Sequence, residues 1–102
     1  MVASLESKLA DIRSLCQRHA VRRLFVFGSA IRDDFDPARS DIDMFVEFED
    51  LQPIEIGRHY LELLESLEVL LERHVDMVSP RGFSNPYLRR EIEGSRVLIY
   101  AA

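Results

Sequence analysis

The sequence predicts an α+β fold, a small mixed β-sheet backed by helices. Three observations lead there. Short runs of strand formers alternate with segments of helical period along the chain. The longest helical segment, after Pro53, is apolar on one side only and needs a neighbouring layer to cover it. The loop between the first two strands is too short for a full crossover helix, so those two strands can run antiparallel while others pair differently.

Each element has its own signal. Residues 3–19 carry Leu5, Leu9, Ile12 and Cys16 on one helical face. Leu24-Phe25-Val26-Phe27 is an unbroken apolar run ended by Gly28, which reads as a central strand covered on both sides. Gly28-Ser29 turns the chain, Ala30 to Asp33 is one helical turn, and the loop continues through Pro37 to Ser40. In the second strand, Asp41 to Phe48, Ile42, Met44, Val46 and Phe48 share one face. Asp41, Asp43, Phe45 and Glu47 share the other.

The helix after Pro53 carries Ile56, Tyr60, Leu63, Leu64, Leu67, Leu70 and Leu71 at helical spacing, with acidic residues opposite. His74-Val75-Asp76-Met77-Val78 is a third strand. Asn85-Pro86 starts a helix that stops at Gly94, because asparagine caps and proline suits the first turn. Val97 to Tyr100 is the last strand.

With 102 residues, 47% of them hydrophobic, the chain is expected to form a single domain over residues 1–102. A domain of this size buries roughly 60–70% of the surface its unfolded chain exposes, enough for one core. An enzyme so small needs something else to help hold its acceptor. Acidic residues outnumber basic ones by 18 to 13, for a net charge of −5. The basic pairs Arg22-Arg23 and Arg89-Arg90 are scattered, which argues against a nucleic-acid groove. Cys16 excludes an internal disulfide and, lying on an apolar helix face, reads as a packed thiol. The absence of a long apolar run or a secretory layout points to a soluble cytoplasmic protein with no membrane contact.

Chemistry concentrates in Phe27-Gly28-Ser29, then Ser40-Asp41-Ile42-Asp43, then Val75-Asp76-Met77. Asp41 and Asp43 are two apart on a strand, so their side chains project from one face roughly 6–7 Å apart at the backbone. Carboxylates at that spacing suit magnesium, which takes one or two of them with phosphate oxygens and water. Two such ions about 3.5–4 Å apart would clamp a phosphoryl transfer. Asp76 interrupts an apolar strand and joins the cluster if that strand neighbours the second, either as a metal ligand or as a proton acceptor. Gly28 lets the backbone approach a phosphate, Ser29 adds a hydroxyl, and Arg32 lies one turn on as a counter-charge.

In this order the motifs closely resemble the nucleotidyltransferase superfamily of DNA polymerase beta, and within it the minimal nucleotidyltransferase (MNT) domains. LFVFGSAIRDDFDPARSDIDMFVEF, Leu24 to Phe48, looks like their Gly-Ser and Asp-x-Asp motif. HVDMV at 74–78 resembles the strand bearing a third carboxylate, and REIEGSRVLIYAA resembles their usual ending. The resemblance implies the nucleotidyltransferase fold. It also implies magnesium on Asp41, Asp43 and Asp76, ATP as donor, and Gly28, Ser29, Arg32 and Ser40 at the nucleotide. Ala30 and Asp33 depart from it, standing where many relatives carry Arg and Gly. The implied biology is an antitoxin that transfers AMP to a hydroxyl, a tyrosine above all, on a partner HEPN-domain ribonuclease toxin. The alternative is an antitoxin that neutralises the toxin by contact without catalysis.

The three histidines are not spaced as a metal pair on any one element. His19 is expected to interact with a helix dipole and His59 to sit on a helix surface. His74 could share a face with Asp76.

Overall fold

The structure, a computed structural model, describes residues 3–31, 41–80, 90 and 93–102, with the side chain of Ser29 left out. Its elements are α1 (Ala3–Glu6), α2 (Leu9–Arg18), β1 (Val21–Phe27), a 3₁₀ turn (Gly28–Ile31), β2 (Ile42–Phe48), α3 (Pro53–Leu71), β3 (Val75–Val78) and β4 (Val97–Ala101). The mixed sheet expected from the sequence is present, in the order β3-β2-β1-β4. β1 runs antiparallel to both β2 and β4, whereas β2 and β3 are parallel.

Two elements differ from expectation. The helix expected over residues 3–19 is broken at Ser7-Lys8. There the Ser7 hydroxyl donates to the Ser4 carbonyl at 3.1 Å, and the Lys8 amide bonds three residues back, to Leu5. Such local bonds compete with helix continuation. β1 starts at Val21, ahead of the apolar run, because Arg22 and Arg23 are held across the sheet. Arg23 Nη2 lies 2.7 Å from Glu47 Oε2, and Arg22 Nε lies 3.4 Å from Glu49 Oε2. The helix expected from Asn85 lies mostly outside the described residues; Arg90 and residues 93–95 are helical.

The helices pack on one face of the sheet. Ile42, Met44 and Val46 of β2 meet Leu24 and Val26 of β1, with Leu63 and Leu67 of α3 and Ile12 and Cys16 of α2 above them. Burial pushes the Cys16 thiol up to about 12, as suits a packed thiol with no call on its nucleophilicity. The opposite face carries a smaller cluster, Phe25, Phe27 and Phe45 with Val78 against it. The Phe25 and Phe45 rings stack at 5.9 Å, and the Arg96 guanidinium lies 4.5 Å from the Phe25 centroid.

β3 is the short edge strand, and α3 fastens it from the helical side. The Val75 amide donates to Glu68 Oε2 at 3.0 Å, the same oxygen that His74 Nδ1 approaches at 3.0 Å. The Tyr60 hydroxyl donates to the Met77 carbonyl. Two tethers on a four-residue strand fix its position along β2.

Burial, and secondarily the charge of Asp76, push the Tyr60 phenol above its ordinary value. A folded value above the unfolded one, about 10, gives stability that is complete below that pH and is lost as pH rises through the folded value. Tyr60→Phe is therefore expected to cost roughly 1 kcal/mol at neutral pH and to flatten the loss of stability above pH about 10. Urea denaturation of both proteins across neutral and alkaline pH checks this.

Candidate active site

The pleat of β2 decides where the acids point. With Ile42, Met44 and Val46 buried among the helices, Asp43 and Phe45 face the other side. Asp43 pairs with Phe27 on one side and with Asp76 on the other. Residues opposite one another in neighbouring strands share a face, so Asp43 and Asp76 stand side by side on strands about 4.8 Å apart. Asp76 is exposed and Asp43 half-buried. Asp41 is exposed and lies one residue ahead of the strand.

Gly28 closes the site from β1. Its φ of +70° is one that L side chains rarely adopt. A Cβ placed there would collide with Asp43 Oδ2 and lie 3.3 Å from Asp43 Cγ. The backbone therefore passes directly against the carboxylate, and only glycine permits it. The 3₁₀ turn that starts here leads the chain away through Ser29. Ala30, one of the two departures from the motif noted in the sequence, is fully buried and packs in the helical core. Arg32 and Ser40 lie outside the described residues, as does the side chain of Ser29.

Asp43 and Asp76 are acidic oxygen donors side by side, the chemistry that suits a hard divalent cation such as magnesium. Asp41 stands just ahead of the strand, and the ligand atoms of the three do not converge within 4.8 Å of one another. The space left by the absent Cβ of Gly28 lets a ligand and backbone amides come close together beside Asp43. The donor chemistry of Asp43 and Asp76 fits the metal that the sequence motif implies.

The histidines correct the sequence reading. His74 is exposed and pairs with Glu68 of α3. His59, expected on a helix surface, is half-buried with its Nδ1 3.2 Å from that of His19, which is itself buried. Nothing in the spacing pointed to this pair, because it depends on how α2 and α3 pack. The tether from Tyr60 was missed for the same reason.

Gly28→Ala is expected to destabilise the protein by roughly 1–3 kcal/mol through backbone strain and the clash with Asp43. It should also weaken any magnesium-dependent thermal stabilisation, although it removes no polar atom. Thermal unfolding with and without magnesium and ATP measures both effects.

Comparison with known proteins identifies the family and the fold. The family model for the nucleotidyltransferase domain matches residues 11–99. A protein of Methanocaldococcus jannaschii provisionally named a protein adenylyltransferase is 30% identical over 99 residues, covering 89% of this chain and 97% of its own length. A solved structure provisionally described as a minimal nucleotidyltransferase superposes with a TM-score of 0.74 at 34% identity, covering 92% of this chain and 91% of its own. The same fold recurs, at 22% identity and a TM-score of 0.64, in the structure of a tri-AMPylated Shewanella oneidensis HEPN toxin in complex with its MNT antitoxin. That match covers 95% of this chain and 72% of the other.

Proposed function

The chain belongs to the nucleotidyltransferase domain family, and from that premise we propose that it transfers AMP from magnesium-bound ATP to a tyrosine hydroxyl of a HEPN-domain toxin, and so acts as an antitoxin. The observation that carries this reading is the alignment of Asp43 with Asp76 across β2 and β3, with the Gly28 backbone against the Asp43 carboxylate. An acidic pair beside a glycine that yields space suits a triphosphate and its cation. The names of the M. jannaschii relative and of the AMPylated toxin complex support the choice of donor and acceptor.

In this reading Asp41, Asp43 and Asp76 are the residues that would hold magnesium, which would supply charge neutralisation for the triphosphate and pyrophosphate. Gly28 and Ser29, with Arg32 and Ser40, bind the phosphates. The acceptor oxygen attacks the α-phosphorus, the bond to the β-phosphate oxygen breaks, and pyrophosphate leaves. The exposed Asp76 takes the proton of the attacking hydroxyl.

The chain is a single domain in this account, and the partner supplies the acceptor surface. Docking then positions the hydroxyl, an effect that can reduce the barrier by several kcal/mol. The outer side of α3 suits a protein contact: Ile54, Leu61 and Val69 are 83%, 65% and 73% exposed, spaced about two turns apart along one side of the helix. Among the described residues no helix is long and apolar enough to cross a membrane. We place the reaction in the cytoplasm.

Mixed with its cognate toxin, ATP and magnesium, the protein is expected to add AMP to the toxin, read by intact mass and located by peptide sequencing. Asp43→Ala should lower the transfer rate by roughly 10²-fold or more and leave the complex intact. A toxin that stays unmodified yet is inhibited equally by wild type and Asp43→Ala would replace this reading with an antitoxin that acts by contact alone.

A further inference from the structure

On the helical side of the sheet, away from the acids of β2 and β3, three metal-binding side chains converge. His19 ends α2, where its amide donates to the Leu15 carbonyl. It is 8% exposed, the one buried polar residue among the described residues. His59 and Glu62 lie one turn apart on α3, so both reach the same side of that helix. His19 Nδ1 is 3.2 Å from His59 Nδ1 and 3.8 Å from Glu62 Oε2, and the three ligand atoms all fall within 4.8 Å of one another.

The separation of the two Nδ1 atoms is close to that around a tetrahedral zinc ion, and the Glu62 oxygen lies somewhat farther out, on an exposed side chain. Bonds of about 2.0–2.1 Å at tetrahedral angles put neighbouring ligand atoms about 3.3–3.4 Å apart. Two imidazoles bound through Nδ1 to such an ion hold their ring centres about 5.2 Å apart. The His19 and His59 centroids are 5.4 Å apart, with the rings inclined at 70°. An edge-to-edge approach of two Nδ1 atoms needs one to carry a proton and the other a lone pair. A cation between them takes the place of that proton and uses both lone pairs. Glu62 divides its two oxygens: Oε2 faces His19, while Oε1 lies 3.9 Å from Arg58 Nη1. The Arg58 contact resembles the outer partner that orients a ligating carboxylate. Glu62 is 49% exposed, so a fourth ligand position opens to water.

We propose that His19, His59 and Glu62 form a site for zinc or a similar divalent transition metal, which ties the end of α2 to α3. Two neutral imidazoles and one carboxylate form the donor set that such ions favour over magnesium. Arg18 and Arg58 act electrostatically on His19 and oppose the ion's charge, whereas Glu62 favours it. The site is independent of nucleotidyl transfer, since it lies across the sheet from Asp43 and Asp76 and shares no residue with them.

The test uses the full chain freed of metal by a chelator that is then removed. Zinc is titrated against a chromophoric competitor, and thermal unfolding is followed with zinc and with magnesium. One equivalent of zinc is expected to bind and, at 100-fold excess over its dissociation constant, to raise the melting temperature by roughly 10 °C or more. Magnesium should not compete. His59→Gln and Glu62→Gln, at partly exposed positions that leave the fold standing, should each weaken zinc binding by about tenfold or more. The double variant Asp43→Asn, Asp76→Asn should bind zinc as the wild type does. Failure to bind one equivalent, binding unchanged in His59→Gln, or binding lost in the Asp43/Asp76 double variant overturns the proposal.

Discussion

The arrangement rests on the alternation of β2. A strand has two faces, and here one is committed to the helical core by Ile42, Met44 and Val46, all essentially without solvent contact. A one-residue slip would turn Asp43 inward and drive a carboxylate into apolar surroundings, at a cost well above what any local contact returns. The core therefore fixes which way Asp43 points. Once β2 is fixed, the antiparallel register with β1 brings Gly28 to Asp43, and the parallel register with β3 brings Asp76 alongside.

β3 is the weakest part of this geometry, since it is four residues long and pairs on one side only. Its position depends on bonds from the helix behind it, one at Val75 through Glu68 and one at Met77 through Tyr60. These two side chains bracket Asp76. They reach the strand from the helix behind it, and Tyr60 stands close enough for the charge of Asp76 to act on its phenol.

The sequence disclosed these features unevenly, for physical reasons. Strict alternation in β2 and the long apolar period of α3 are local patterns, and both elements appear where expected. The first strand was read too short because Arg22 and Arg23 look like loop residues until Glu49 and Glu47 are known to stand beside them. The break at Ser7 turns on a serine hydroxyl bonding locally, which the apolar spacing of Leu5, Leu9 and Ile12 does not report. That Asp76 could join Asp43 was legible only as a condition, because strand adjacency is not written in either strand. The meeting of His19 with His59 depends on the packing of two helices separated by most of the sheet. No periodicity carries that information, and the resemblance to nucleotidyltransferases, read from Gly28, Asp41 and Asp43, could not supply it.

The strand order has a consequence for how the chain acquires its fold. β1 is central, yet its two partners come from very different distances along the chain: β2 follows after a short loop, and β4 belongs to the C-terminal segment. The β1–β2 pair can close as soon as both strands exist, whereas the β1–β4 pair must bring together residues more than 70 positions apart. During synthesis the far side of β1 is left as an unpaired edge, with Leu24 and Val26 still lacking the strand that finishes the sheet. Such an edge is where a nascent chain is most open to pairing with the wrong strand. The interval before Val97–Ala101 emerges is thus the period in which this small protein is most exposed to aggregation.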